Sequence, residues 1–314
     1  MRRRRAFVAA LALVAALAVV AVSAGRAHDH SARPQHQATG PSSVASPRAT
    51  AAGTALAGDS GAAGTVVRKA VSIRTLDREL RAALARALTD HTGNLAVGLV
   101  DCTTGLKAVY GGGRQFHTAS IVKADILAAL LLRHQVAGTP LSENEQELAT
   151  LMMEESDNDA ATDLWGDVGA TDGMAEANAQ LGLRHTTPGG DYYWGLTETT
   201  VADQLQLLAD LTSSRSPLNT ASRSYELSLM RHVDSGQAWG VTAAATPKTP
   251  AAVKNGWLPD PQLWVINSIG VIRHNGQVLL VAVLSDDQPT EAGGIAQVKA
   301  AAVAAADAAV AAHS

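Results

Sequence analysis

The sequence predicts an α+β fold, and three observations carry that expectation. Strand-like and helix-like stretches do not alternate as they would in a βαβ chain. Two strand-like runs come early, at 95–100 and 107–110, and three more come late, within 251–285. Between them lies a helical span from about 143 to 233, and an alanine-rich helix near 294–312 follows the last strand. Helices therefore interrupt one antiparallel sheet.

Taken in order, the chain opens on Met1-Arg2-Arg3-Arg4-Arg5, followed by an apolar run through Ala24. A basic start, an apolar core and the small residues Val22-Ser23-Ala24 predict that 1–24 is a signal peptide or, left uncleaved, a membrane anchor. Arg4-Arg5-Ala6-Phe7-Val8 is similar to a twin-arginine export signal. Residues 25–66 are rich in Ala, Gly, Ser, Thr and Pro and contain no aromatic side chain, which predicts a disordered linker. His28, His30 and His36 lie there without the spacing of a fixed metal-ligand set. Residues 67–314 are enough for one domain with a sizeable core.

A helix is expected over 71–91, then the hairpin of the two early strands. Next comes Ser120-Ile121-Val122-Lys123, an S-x-x-K pattern opening the helix-forming run at 121–132. A serine hydroxyl is a poor nucleophile until a base takes its proton. The spacing sets a lysine amine one helical turn from Ser120, and the helix N-terminus favours developing negative charge. Lys123 can act as the base only if burial and a neighbouring positive charge lower its pKa; Lys254 is the expected neighbour.

Ser156-Asp157-Asn158 falls where one helix should end and another begin. All three residue types cap helices well, so the motif reads either as a plain cap or as a rigid junction presenting polar groups to a cleft. Lys254-Asn255-Gly256-Trp257 lies on an expected edge strand at 251–258, where glycine would permit close approach of another backbone. Asn-Gly as a hairpin turn is the competing reading.

With the three motifs in this order, the chain from about residue 71 onward resembles the penicillin-recognising serine enzymes, and most closely the class A β-lactamase-like branch. The resemblance implies a five-stranded antiparallel sheet flanked by helices, with an all-helical subdomain and the site between them. Only 36 positions separate Ser120 from Ser156, so that subdomain should be shortened. The resemblance further implies Ser120 as nucleophile, Lys123 as base and Ser156 as proton shuttle. Asn158, Lys254, Asn255, Gly256 and Trp257 would bind substrate, with the Trp257 and Ser120 N–H groups forming an oxyanion hole. The branch carries a water-activating glutamate on the loop after S-D-N. Residues 181–197 here contain none; Asp191 and, just beyond, Glu198 at an expected helix start are the carboxylates near that position.

The expected activity is β-lactam ring hydrolysis through an acyl-enzyme. A D-alanyl-D-alanine-type peptidase acting on cell-wall peptides, or a β-lactam sensor that stays acylated, are the alternatives left by the missing glutamate. The formal charge of −4 includes the leading arginines, so no basic surface for nucleic acid is expected. Cys102 is the sole cysteine and cannot pair within the chain. No metal or other cofactor is expected, the partners would be small-molecule substrates, and the chain should be an exported monomer that touches a membrane only through its N-terminus.

Overall fold

The computed structural model describes residues 71–260 and 262–314; the expected leader (1–24) and linker (25–66) lie outside the described residues. Helix α1 (Ile73–Ala87) begins where the Ser72 side chain accepts the Thr75 N–H, and Leu76, Leu80 and Leu84 form its buried stripe. Strands β1 (Asn94–Asp101) and β2 (Leu106–Tyr110) make the early hairpin. The two-residue strand β3 (Phe116–His117) leads to helices α2 (Val122–Ala137), α3 (Glu143–Thr150), α4 (Asn158–Asp167) and α5 (Ala170–Leu181). A second short strand, β4 (Glu198–Thr199), pairs with β3 and precedes α6 (Val201–Thr212) and α7 (Thr220–Arg231). Strands β5 (Ala252–Asp260), β6 (Leu263–His274) and β7 (Gln277–Gln288) follow, then α8 (Glu291–Ala312).

The sheet runs β2-β1-β7-β6-β5, antiparallel at every pairing. The fold is thus α+β, a five-stranded antiparallel sheet flanked by helices with a compact helical subdomain. Alternation along β7 separates two cores. Leu279, Val281 and Val283 join Leu76 and Leu80 of α1 and the alanines of α8, whereas Leu280, Ala282 and Leu284 join α2 and α6. Small side chains let α8 lie close to the sheet. Helix α2 is buried at every position from Val122 to Leu132, so it has no amphipathic pattern and forms the axis of the helical part.

Lys254-Asn255-Gly256 lies in the edge strand β5, as expected, and the competing turn reading falls; the tight Asn-Gly turn of this region is Asn275-Gly276, both at positive φ, joining β6 to β7. One local expectation changes. Glu198 is not a helix-start residue: it lies in β4, and Thr200 caps α6 by accepting the Asp203 N–H.

Candidate active site

Ser120 stands in a 3-10 turn, Ala119–Ile121, that feeds α2. Ala119 has φ 48°, a left-handed conformation that costs a non-glycine residue about 1–3 kcal/mol and persists only when its surroundings hold it. Asn267 of β6 supplies that hold. Its Nδ2 donates to the carbonyls of His117 at 2.8 Å and Thr118 at 3.0 Å, and its Oδ1 accepts the Ser285 N–H at 3.0 Å. Across from the turn, β5 comes within backbone contact. A Cβ on Gly256 would lie 2.7 Å from the Ser120 nitrogen and 2.8 Å from the Thr118 oxygen, so any side chain there would push the strand away from the turn.

Lys123 and Lys254 are both buried, at 0% and 1% exposure. Lys123 Nζ donates to the Ser156 carbonyl at 2.6 Å and to Asn158 Oδ1 at 2.8 Å, and lies 3.1 Å from Ser156 Oγ. Lys254 Nζ lies 2.9 Å from the same Oγ. Ser156 reaches this position because it ends the preceding helical turn in the left-handed region, φ 60°. Asp157 then caps α4, accepting the Ala160 N–H at 2.7 Å. One junction therefore faces Ser156 and Asn158 toward Lys123 while Asp157 serves the helix.

Burial lowers the Lys123 pKa from 10.5 to about 7, against an upward pull from Asp157. Lys254 is held well below the usual lysine range, first by burial and then by the positive charge of Lys123. An amine that loses its proton near neutrality, one turn from a serine, can take a hydroxyl proton.

A cavity of about 670 Å³ opens beside Ser120, bordered by Asn158, Tyr192, Trp194, Trp257 and Asp260 among others. Asn255 is placed elsewhere. It is buried, and its Nδ2 donates to the carbonyls of Gln237 at 2.6 Å and Trp239 at 3.1 Å, tying that segment to β5 rather than facing a ligand. Neither Asp191 nor Glu198 borders the cavity. Asp191 occupies a left-handed turn position, and its carbonyl accepts the Trp165 indole N–H at 2.8 Å. Glu198 is exposed and exchanges backbone hydrogen bonds with Thr187.

Two residues that the sequence did not single out help build the site. One is Asn267. The other is Trp194, whose ring centre lies 4.9 Å from Lys123 Nζ. A tryptophan in a glycine-rich stretch was the only sequence signal for the latter. Among the described residues, no group of three or more His, Cys, Asp or Glu could hold a metal ion.

Residues 141–310 match the model of the β-lactamase enzyme family. A curated relative, the putative lipoprotein LppW of Mycobacterium tuberculosis (strain ATCC 25618 / H37Rv), is 27% identical over 195 residues, covering 60% of this chain and 62% of that protein. The chain thus spans less than two thirds of the length of that relative. Among solved structures, a class A β-lactamase from Bacteroides cellulosilyticus DSM 14838 superposes with a TM-score of 0.65 at 19% identity, covering 75% of this chain and 99% of that one. PBP-A gives a TM-score of 0.65 at 18% identity, covering 74% and 96%. At these identities the likeness establishes the fold.

Proposed function

The chain belongs to the β-lactamase enzyme family, and from that premise we propose that it is an exported serine hydrolase acylated on Ser120 by β-lactams or by cell-wall peptides of like shape. The observation that carries this reading is the Ser156 hydroxyl, held between the amines of Lys123 and Lys254 beside the Ser120 turn.

Neutral Lys123 takes the Ser120 proton as Oγ attacks the substrate carbonyl carbon. Negative charge collects on the carbonyl oxygen, where the backbone N–H groups of Ser120 and Trp257 would stabilise it. The C–N bond then breaks. The leaving nitrogen takes the Ser156 proton, which the lysine pair replaces. Asn158 has its Oδ1 engaged by Lys123, leaving its Nδ2 to donate to a substrate carbonyl. Burial and Lys123 disfavour a charge on Lys254; a substrate carboxylate arriving beside it would favour the protonated amine, and Lys254 would then supply the positive charge for that carboxylate.

A second reading concerns release of the adduct. Asp191 and Glu198 both lie off the cavity wall, which favours slow deacylation, the behaviour of a peptidase or a β-lactam sensor, over rapid ring hydrolysis. Intact-mass spectrometry after mixing with benzylpenicillin tests both points. A mass increase of one penicillin that persists supports slow release. Loss of substrate without a lasting adduct supports a β-lactamase. Neither adduct nor substrate loss would overturn the acylation reading.

Export is proposed from the basic-apolar N-terminus and agrees with the word lipoprotein in the relative's name. The protein would be secreted or held on the outer face of the cytoplasmic membrane.

A further inference from the structure

Lys123 is enclosed on several sides by groups of different character. The Ser156 turn and Asn158 of α4 receive its hydrogens. Lys254 of β5 approaches the same hydroxyl, and Asp157 is the negative charge that acts on the amine. A further side is the face of Trp194.

That ring is fixed. Its indole N–H donates to Thr162 Oγ1 on α4 at 3.1 Å. The residues that follow are stitched to the strand before Ser120: the Thr118 N–H donates to the Thr197 carbonyl at 2.8 Å, and His117 Nδ1 lies 3.2 Å from the Leu196 carbonyl. Trp194 is thus a wall of the site and not a mobile side chain.

An indole face acts on a lysine in two opposite ways. Its π-electrons attract the ammonium form, while its bulk excludes water and so favours the neutral amine. Burial is the dominant influence on Lys123, outweighing the pull of Asp157, so exclusion of water is the effect to follow.

We propose that Trp194 is a positioning residue that seals Lys123 from water, keeping the amine available as the base for Ser120 and denying a hydrolytic water its place beside the adduct. The second half rests on the acylation reading above; the first does not. Hydrolysis of the adduct needs a water oxygen to attack the ester carbonyl carbon while a base takes one water proton. The bond from that carbon to Ser120 Oγ then breaks, and Oγ regains a proton. Lys123 is an amine near the adduct that could take the water's proton, and the indole occupies one approach to it.

Trp194→Ala and Trp194→Phe separate the ring from its N–H. In unreacted protein carrying labelled lysine, NMR titration of Lys123 should show its midpoint rise by roughly one pH unit or more in Trp194→Ala, as water reaches the amine. The pH dependence of labelling by a fluorescent penicillin should move upward with it, and the adduct lifetime should shorten by about tenfold or more. Trp194→Phe should stay close to the parent in all three measurements. An unchanged Lys123 midpoint and adduct lifetime in Trp194→Ala would overturn the proposal, as would Trp194→Phe behaving like Trp194→Ala. Trp194→Leu, which removes the flat ring but leaves Thr162 and its bond to the Asn158 carbonyl in place, serves if Trp194→Ala does not fold. It should raise the midpoint above that of Trp194→Phe, and no rise would overturn the seal. Failure of the parent to label would remove the acylation reading, while the titration would still judge the seal.

Discussion

Lys123 and Lys254 converge on one oxygen, with Ser156 Oγ 3.1 Å from the first amine and 2.9 Å from the second. A hydroxyl has one proton to give and two lone pairs to offer. It can therefore accept a hydrogen bond from a charged lysine while donating its own proton to a neutral one. Burial lowers both amines, Lys123 to about 7 and Lys254 well below its usual range, so whichever lysine carries the extra proton donates to Ser156, and the neutral one, or a leaving nitrogen, receives the hydroxyl proton.

Replacing Ser120 with alanine should abolish covalent labelling by a fluorescent penicillin and leave the melting temperature within a few degrees of the parent, because the side chain is small and only half-buried. Labelling of Ser120→Ala at the parent rate would remove Ser120 as the nucleophile.

Lys254→Ala should weaken acylation by anionic β-lactams more than by neutral thioesters or esters. A charge-assisted contact to a carboxylate contributes about 1.5–3 kcal/mol, on the order of 10- to 100-fold. Because Lys254 also touches Ser156, neutral substrates should suffer too, but less. Equal losses on the two substrate types would confine Lys254 to the proton path.

How much of this was legible in the sequence depends on the range of the contacts involved. Ser120, Ser156, Asn158 and Lys254 could be placed because each sits at a locally encoded feature: a helix start, a capped junction or a strand. The direction of the Asn255 amide could not, since its acceptors lie 16 and 18 positions away in an irregular segment. Trp194 over Lys123 depends on a loop folding back across the helical part, and no periodicity records that. Asp125 of α2 and Glu226 of α7 are both fully buried, and no local pattern marks either carboxylate as a core position.

Asp191→Asn and Glu198→Gln should leave the adduct lifetime within about twofold of the parent, as exposed side chains away from the reacting atoms usually do. Intact-mass time courses measure this. A severalfold longer lifetime in either variant would restore that carboxylate as the group that activates water.

Stability should fall as pH rises, through the buried acid pair. Burial lifts Asp125 to about 7 and Glu226 well above its usual value, the latter also through the charge of Asp125. In an unfolded chain these groups lose their protons near 3.8 and 4.5. From there up to the folded values, the folded state binds more protons than the unfolded state, so stability declines with pH across that window. Glu226→Gln, which stays neutral, should flatten the decline. Thermal melts at pH 5 and pH 8 check it, each kcal/mol recovered at the higher pH appearing as about 2–4 °C. An identical drop in parent and variant would show that Glu226 does not carry the effect.

The pairing of β1 with β7 has a consequence for when the site can exist. Asn94 hydrogen-bonds to Asp286 across 192 positions of chain, and the strand that backs the Ser120 turn reaches β1 only through β6 and β7. Such distant contacts form late, since the entropy of closing long loops must be overcome before they stabilise anything. A nascent chain that already displays Ser120 and Lys123 has neither Lys254 nor the backbone of Gly256 and Asn267 to shape the turn. On the proposed acylation, reactivity would therefore wait on completion of the sheet, and a stalled or truncated chain carrying the whole S-x-x-K motif would be chemically silent.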